Sequence, residues 1–159
     1  MHVTVIRARA IAMVLAVSLA AVALAAPPPA AAHHSEAHLV VRFAKNQLGD
    51  SWRYGATGPS AYDCSGLVFR AFKSTGLIQR IGGSRRTAAG YLKYFRDRGL
   101  VTRAGGRKGD LVVYGGGSHL GIYLGNGRVI SALTNGVSIH GLHAVRARFT
   151  AFLRVRLSR

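Results

Sequence analysis

From residue 111 onward the chain breaks into short stretches that are apolar or alternate apolar with polar, separated by glycine or Asn-Gly. They run over 111–114, 119–124, 128–133, 137–142 and 150–157. Stretches of that length and spacing read as strands joined by hairpins. The preceding part has helical spacing instead. Residues 35–49 open on Ser35, place Val40, Phe43, Ala44 and Gln47 on one face, and stop at Gly49. Residues 87–99 do the same with Ala88, Tyr91, Leu92 and Phe95. Between them, after a Gly- and Pro-punctuated loop at 50–62, Asp63 can cap a helix through Leu67, Val68, Ala71 and Phe72 to Gly76. Helices followed by strands predict an α+β domain with a mostly antiparallel sheet of five to six strands.

Ahead of this domain, Arg7 and Arg9 precede an apolar run over 10–26, then Pro27-Pro28-Pro29 and small residues. That is the pattern of a secretory signal, with cleavage after Ala25 or near Ala32. The run is short for a bilayer span, which needs about 20 residues, so export with removal is favoured over a retained anchor. The expected division is a signal peptide at 1–32 and one domain at 33–159, soluble and monomeric once exported.

Charge narrows the partners. Lys plus Arg number 22 against 5 Asp plus Glu, a formal net charge of +17. The basic residues are scattered, as in Arg85-Arg86, Arg103 and Arg107-Lys108, and no nucleic-acid motif accompanies them, which argues against a nucleic-acid partner. For an exported protein the expected partner is an anionic cell envelope. Solubility, or a compositional drift toward arginine, is the competing reading.

Cys64 is the sole cysteine, so the chain can form neither an internal disulfide nor a multi-cysteine metal cage. It falls in the first turn of its helix, where the positive end of the helix dipole favours a thiolate. A cysteine nucleophile needs a base, usually histidine. Of seven histidines, His2 goes with the leader, and His33, His34 and His38 fall at a flexible new N-terminus. His119 opens a strand with Gly121 and Tyr123 on its face, which suits a cleft wall, while an exposed surface position is the competing reading. His143 has no such placement and reads as a surface residue.

Register decides what stands beside His119. A three-residue loop at Gly125-Asn126-Gly127 pairs Leu124 with Arg128, puts Gly121 opposite Ser131, and sets Ser131 on the face of His119. A two-residue turn at Asn126-Gly127 slips the pairing by one and brings Ala132 and Thr134 to that face instead. Asn135-Gly136, read as a two-residue turn, pairs Thr134 with Val137 and places His140 opposite Ser131. The first register then gives a row of His119, Ser131 and His140, in which Ser131 orients His119 and His140 stands behind. In the competing reading, Ser131 is merely a small strand residue and His140 a partly exposed one.

With Cys64 and His119 in place, the chain resembles the NlpC/P60 family of bacterial cell-wall cysteine peptidases from about residue 37 to 157. The resemblance rests on ordered motifs: Gln47-Leu48-Gly49, Tyr54-Gly55-Ala56-Thr57-Gly58-Pro59-Ser60, Asp63-Cys64-Ser65-Gly66-Leu67-Val68, Arg86-Thr87, Gly109-Asp110-Leu111 and His119-Leu120-Gly121-Ile122-Tyr123-Leu124-Gly125-Asn126-Gly127. It implies a papain-like α+β fold, Cys64 as nucleophile and His119 as base. Asp63 and Ser65 would hold the stem peptide of peptidoglycan, and the Cys64 N–H would help to stabilise the oxyanion. It calls for no metal and no cofactor.

Two positions depart from the family pattern. The polar residue twelve positions after the base, commonly His, is here Ser131, which points to reduced activity unless His140 fills the gap. The usual Tyr-x-Trp-Gly loop reads Trp52-Arg53-Tyr54-Gly55, so the aromatic subsite wall is altered. The leading expectation is an exported endopeptidase cutting stem peptides of the D-isoglutamyl–diamino acid type through a thioester. The alternatives are a wall-binding protein without turnover, or a related amidase or acyltransferase.

Overall fold

Ser35 starts the domain as its sequence suggests: its hydroxyl accepts the backbone N–H of His38 and caps α1 (Glu36–Lys45). The structure is a computed structural model that describes residues 35–159. The expected signal at 1–32, His33 and His34 lie outside the described residues. His38 sits within α1 rather than on a loose terminus. α1 buries Ala37, Val40, Val41 and Ala44, and it ends before Gly49 because residues 46–48 tighten into turns. Gln47 thereby leaves the helix face, and its side-chain oxygen accepts the Tyr62 hydroxyl at 2.8 Å.

Within the expected loop at 50–62, β1 (Ser51–Trp52) and β2 (Ala61–Tyr62) form a short parallel pair. Next comes α2 (Cys64–Ser74), capped by the Asp63 carboxylate, which accepts the Gly66 N–H at 2.6 Å. Leu67, Val68, Ala71 and Phe72 anchor α2 in the core. A Cβ on Gly66 would overlap the carbonyl oxygen of Ala56, so glycine is what lets that loop close over the first turn. A 3₁₀ turn at Ile78–Ile81, not read from the sequence, leads toward α3 (Ala88–Arg96). Thr87 caps α3, which buries Ala88, Tyr91, Leu92 and Phe95 as the spacing predicts.

Six strands complete the fold: β3 (Val101–Thr102), β4 (Leu111–Tyr114), β5 (His119–Gly125), β6 (Arg128–Leu133), β7 (Gly136–Gly141) and β8 (Phe149–Leu153). They lie in the order β3-β8-β4-β5-β6-β7, every neighbouring pair antiparallel. β3 escapes sequence reading because two residues show no alternation. Leu111, Val113, Leu120, Ile122 and Ile130 pack against the helices, while Val112, Tyr114, Tyr123, Val129 and Phe152 form a second cluster on the other face. No helix among the described residues is long and apolar enough to cross a membrane.

The β5–β6 hairpin draws on both registers left open above. Its turn is the two-residue Asn126-Gly127, at φ +50° and +69°, pairing Gly125 with Arg128. Leu124 is then bulged out, and past it Tyr123 faces Val129 and Ile122 faces Ile130. That bulge restores the pairing in which Gly121 lies beside Ser131.

The β6–β7 hairpin corrects an expectation. Leu133 pairs with Gly136 around Thr134-Asn135, so Ser131 faces Ser138 and His140 faces Val129. Long-range bonds override the Asn-Gly turn. Gly49 donates to the Val137 carbonyl and Val137 donates to the Asp50 carbonyl, both at 2.9 Å. The slip is two residues, and a two-residue slip keeps His140 on the face of Ser131.

Candidate active site

Where the start of α2 meets the start of β5, a cleft of about 1100 Å³ opens. Cys64, His119, Asp63, Ser65, Trp52 and Tyr54 all line it, so the sequence-predicted nucleophile, base and substrate-binding residues share one space. Ser131 and His140 stand behind the wall. Trp52 and Tyr54 are exposed, Tyr54 almost fully at 87%, and present aromatic surface at the mouth.

Cys64 is half-buried. Burial pushes its thiol pKa up and the adjacent Asp63 carboxylate adds to this. The backbone N–H groups of Leu120, Ser65 and Cys64 itself pull the other way without cancelling it. Desolvation is the largest of these influences, and it opposes the tendency of the helix terminus to favour a thiolate. The Leu120 N–H acting on the sulfur also shows that β5 begins right beside it.

His119 is displaced in the complementary direction. Burial, and secondly the charge of His140, lower its pKa to about 4, so the imidazole is neutral at neutral pH. Cys64 and this neutral imidazole line the same cleft.

Behind His119 the hydrogen bonds form a chain. His119 Nε2 lies 3.0 Å from Ser131 Oγ, which lies 2.8 Å from His140 Nε2, and His140 Nδ1 lies 2.9 Å from the Gly141 carbonyl. The carbonyl only accepts, so in the neutral His140 ring Nδ1 carries the proton and Nε2 is the acceptor. Ser131 must then donate to His140, leaving its lone pairs for the His119 Nε2–H. His119 Nδ1 is thereby the unprotonated nitrogen. Ser131, the middle of the chain, is fully buried, whereas both histidines are partly exposed. The two-residue slip is harmless because His140 reaches Ser131 diagonally.

Two contributors were not found from sequence. Tyr114 pairs with His119 across β4–β5, with ring centroids 5.7 Å apart, and reaches His140 at 6.3 Å. It is fully buried, and its hydroxyl has no hydrogen-bond partner among the described residues. Only the β4–β5 register, which the sequence does not display, places it under both imidazoles. The second is Arg85, which donates to Asp63 Oδ2 at 2.6 Å, to the Gly55 carbonyl at 2.9 Å and to Ser65 Oγ at 3.3 Å. With 22 Lys and Arg in the chain, nothing marks it out by sequence.

Asp63 itself is buried. Besides Gly66 and Arg85, it accepts the Ser65 hydroxyl at 2.9 Å and the Gly55 N–H at 2.8 Å. Burial works against its charge, but these four hydrogen bonds prevail and hold its pKa below the ordinary carboxylate value. Among the described residues, no group of three or more His, Cys, Asp or Glu is placed to hold a metal ion.

Residues 49–154 match the NlpC/P60 family. The chain belongs to that family. It is 37% identical over 103 residues to the probable endopeptidase p60 of Listeria grayi, covering 63% of this chain and 19% of that protein. To a probable endopeptidase of Corynebacterium glutamicum strain R it is 35% identical over 112 residues, covering 70% of this chain and 49% of the other. The chain thus spans half or less of the length of these relatives. Among solved structures, the peptidoglycan hydrolase RipB of Mycobacterium tuberculosis superposes with a TM-score of 0.57 at 26% identity, covering 78% of this chain and 64% of that one. The α+β, papain-like architecture is the one this family shares.

Proposed function

We propose that this NlpC/P60 domain is a cysteine endopeptidase that hydrolyses peptide bonds in peptidoglycan stem peptides, of the D-isoglutamyl–diamino acid type. The observation that carries the reading is the meeting of Cys64 and His119 in one cleft, with the start of β5 beside the sulfur. The names of the relatives point the same way.

In this reading Cys64 Sγ attacks the scissile carbonyl carbon while its proton passes to Nδ1 of His119. The oxyanion is stabilised by the Cys64 backbone N–H at the first turn of α2. The His119 imidazolium gives the proton to the leaving amine, and a thioester remains on Cys64. Water then attacks the thioester with His119 as base, freeing the carboxylate and restoring the thiol. Ser131 holds His119 in the tautomer with Nδ1 free, and His140 fixes Ser131. Trp52 and Tyr54 form an aromatic wall for the peptide. The reaction as written needs no cofactor.

The protein works outside the membrane, exported by the leader at 1–32, and its net positive charge holds it on an anionic wall. The test is digestion of purified muropeptides by wild type and Cys64→Ala, read by mass spectrometry. Stem-peptide fragments with wild type alone are expected. Identical spectra from both proteins would leave a wall-binding protein of this fold as the better account, and products of another amide or ester would point to a related amidase or acyltransferase.

A further inference from the structure

The resemblance offers Asp63 as a holder of substrate, yet its geometry gives it other work. Both carboxylate oxygens are occupied, Oδ1 by the Gly66 N–H and the Ser65 hydroxyl, Oδ2 by the Gly55 N–H and Arg85. The group is 7% exposed, as is Ser65, whose hydroxyl also faces Arg85. A carboxylate so surrounded has little capacity left for a ligand.

What reaches the cleft at this point is the Arg85 guanidinium, whose side chain is 31% exposed. It touches the two residues that flank Cys64. Its Nε–H and one Nη1 proton carry no bond to the described residues. Arg146, exposed, also lines the space, whereas Asp63 is the sole acidic residue of the lining. Arg86, although at the wall, is engaged with the carbonyls of Ile81, Gly82 and Ser84. A ligand atom entering beside Cys64 therefore meets a planar cation, with a second cation in the same lining and no free anion.

From this we infer that Arg85 is a specificity-determining residue: it binds a free carboxylate of the substrate next to the scissile bond, so the cleft prefers acidic stem peptides over amidated ones. The inference rests on the peptidase reading. An isoglutamyl residue joined through its side-chain carbonyl keeps its α-carboxylate a few bonds from the carbon under attack. That carboxylate can accept from a guanidinium in a charge-assisted pair; a carboxamide there brings no charge and offers a single oxygen.

The experiment uses two synthetic stem peptides that differ only in an α-carboxylate or an α-carboxamide on the isoglutamyl residue. Wild type is expected to favour the acid in kcat/KM by about tenfold or more, as hydrogen bonds to charged groups exceed neutral ones. Arg85→Gln should bring that ratio close to one, because a merely structural role would slow both peptides alike. Arg85→Lys, which keeps the charge on Asp63 but loses the planar fork, should lie between, and it serves if the glutamine variant does not fold. Calorimetric binding of both peptides to Cys64→Ala separates the two readings. Tighter binding of the acid without turnover in wild type sinks the peptidase reading alone. Turnover of both peptides at one rate, or an unchanged ratio in Arg85→Gln, overturns the inference about Arg85.

Discussion

Ser131 is a small residue with a large assignment, because its single proton can serve only one imidazole at a time. The 2.9 Å contact from His140 Nδ1 to the Gly141 carbonyl decides which one, and so frees Nδ1 of His119. Ser131→Ala should therefore lower kcat by about tenfold or more, in the manner of other lost orienting groups. His140→Ala should lower it less, and the double variant no further than Ser131→Ala, since residues acting in one chain are not additive. Fully additive losses in steady-state kinetics would break the chain apart. Tyr114 makes an opposite prediction. Its buried hydroxyl has no partner among the described residues, so Tyr114→Phe should stabilise the fold by ~1 kcal/mol in chemical denaturation. At this scale much of the site was legible, since Cys64, His119, Ser131 and His140 stand out by type and spacing. Arg85 and Tyr114 were not, because their roles come from contacts made across other elements.

Elements explain where pattern reading succeeded and where it slipped. The helices followed their periodicity because each buries one apolar face and starts on a capping side chain, as Asp63 and Thr87 do. The hairpins were harder. Asn126-Gly127 does form the tight turn its sequence favours, yet the bulge at Leu124 restores the longer-loop pairing, and no residue type announces it. Asn135-Gly136 loses its turn to hydrogen bonds from residues 49 and 50, some 85 positions away. The β5–β6 contact also yields a test. A Cβ on Gly121 would lie 2.6 Å from Val129 Cγ1, 2.9 Å from the Ile130 carbonyl oxygen and 3.1 Å from Ser131 Cβ. Gly121→Ala should then cost about 1–3 kcal/mol of stability by overpacking and displace Ser131 from His119. A normal melting temperature with normal turnover would show that the two strands have room to part.

For the molecule as a whole, the burial of His119 sets the response to pH. A base works unprotonated, so kcat/KM should hold well below the ordinary histidine range and fall only as pH approaches about 4, the value to which burial takes His119. Stability follows the same sign. His119 binds its proton less readily folded than unfolded, so its contribution is present above about 6.5 and is lost as pH falls through about 4. Asp63, held below the usual carboxylate value, loses its contribution in the same direction. Melting temperatures recorded from pH 7 to pH 4 should decline accordingly. The central claim is that Cys64 itself carries the acyl group. Intact-protein mass spectrometry of a reaction quenched in acid, with the peptide bearing the free isoglutamyl carboxylate, tests it most directly. The account predicts a transient adduct equal to the acyl fragment on Cys64 and none on Cys64→Ala. Stem-peptide products formed at the wild-type rate by Cys64→Ala would contradict it.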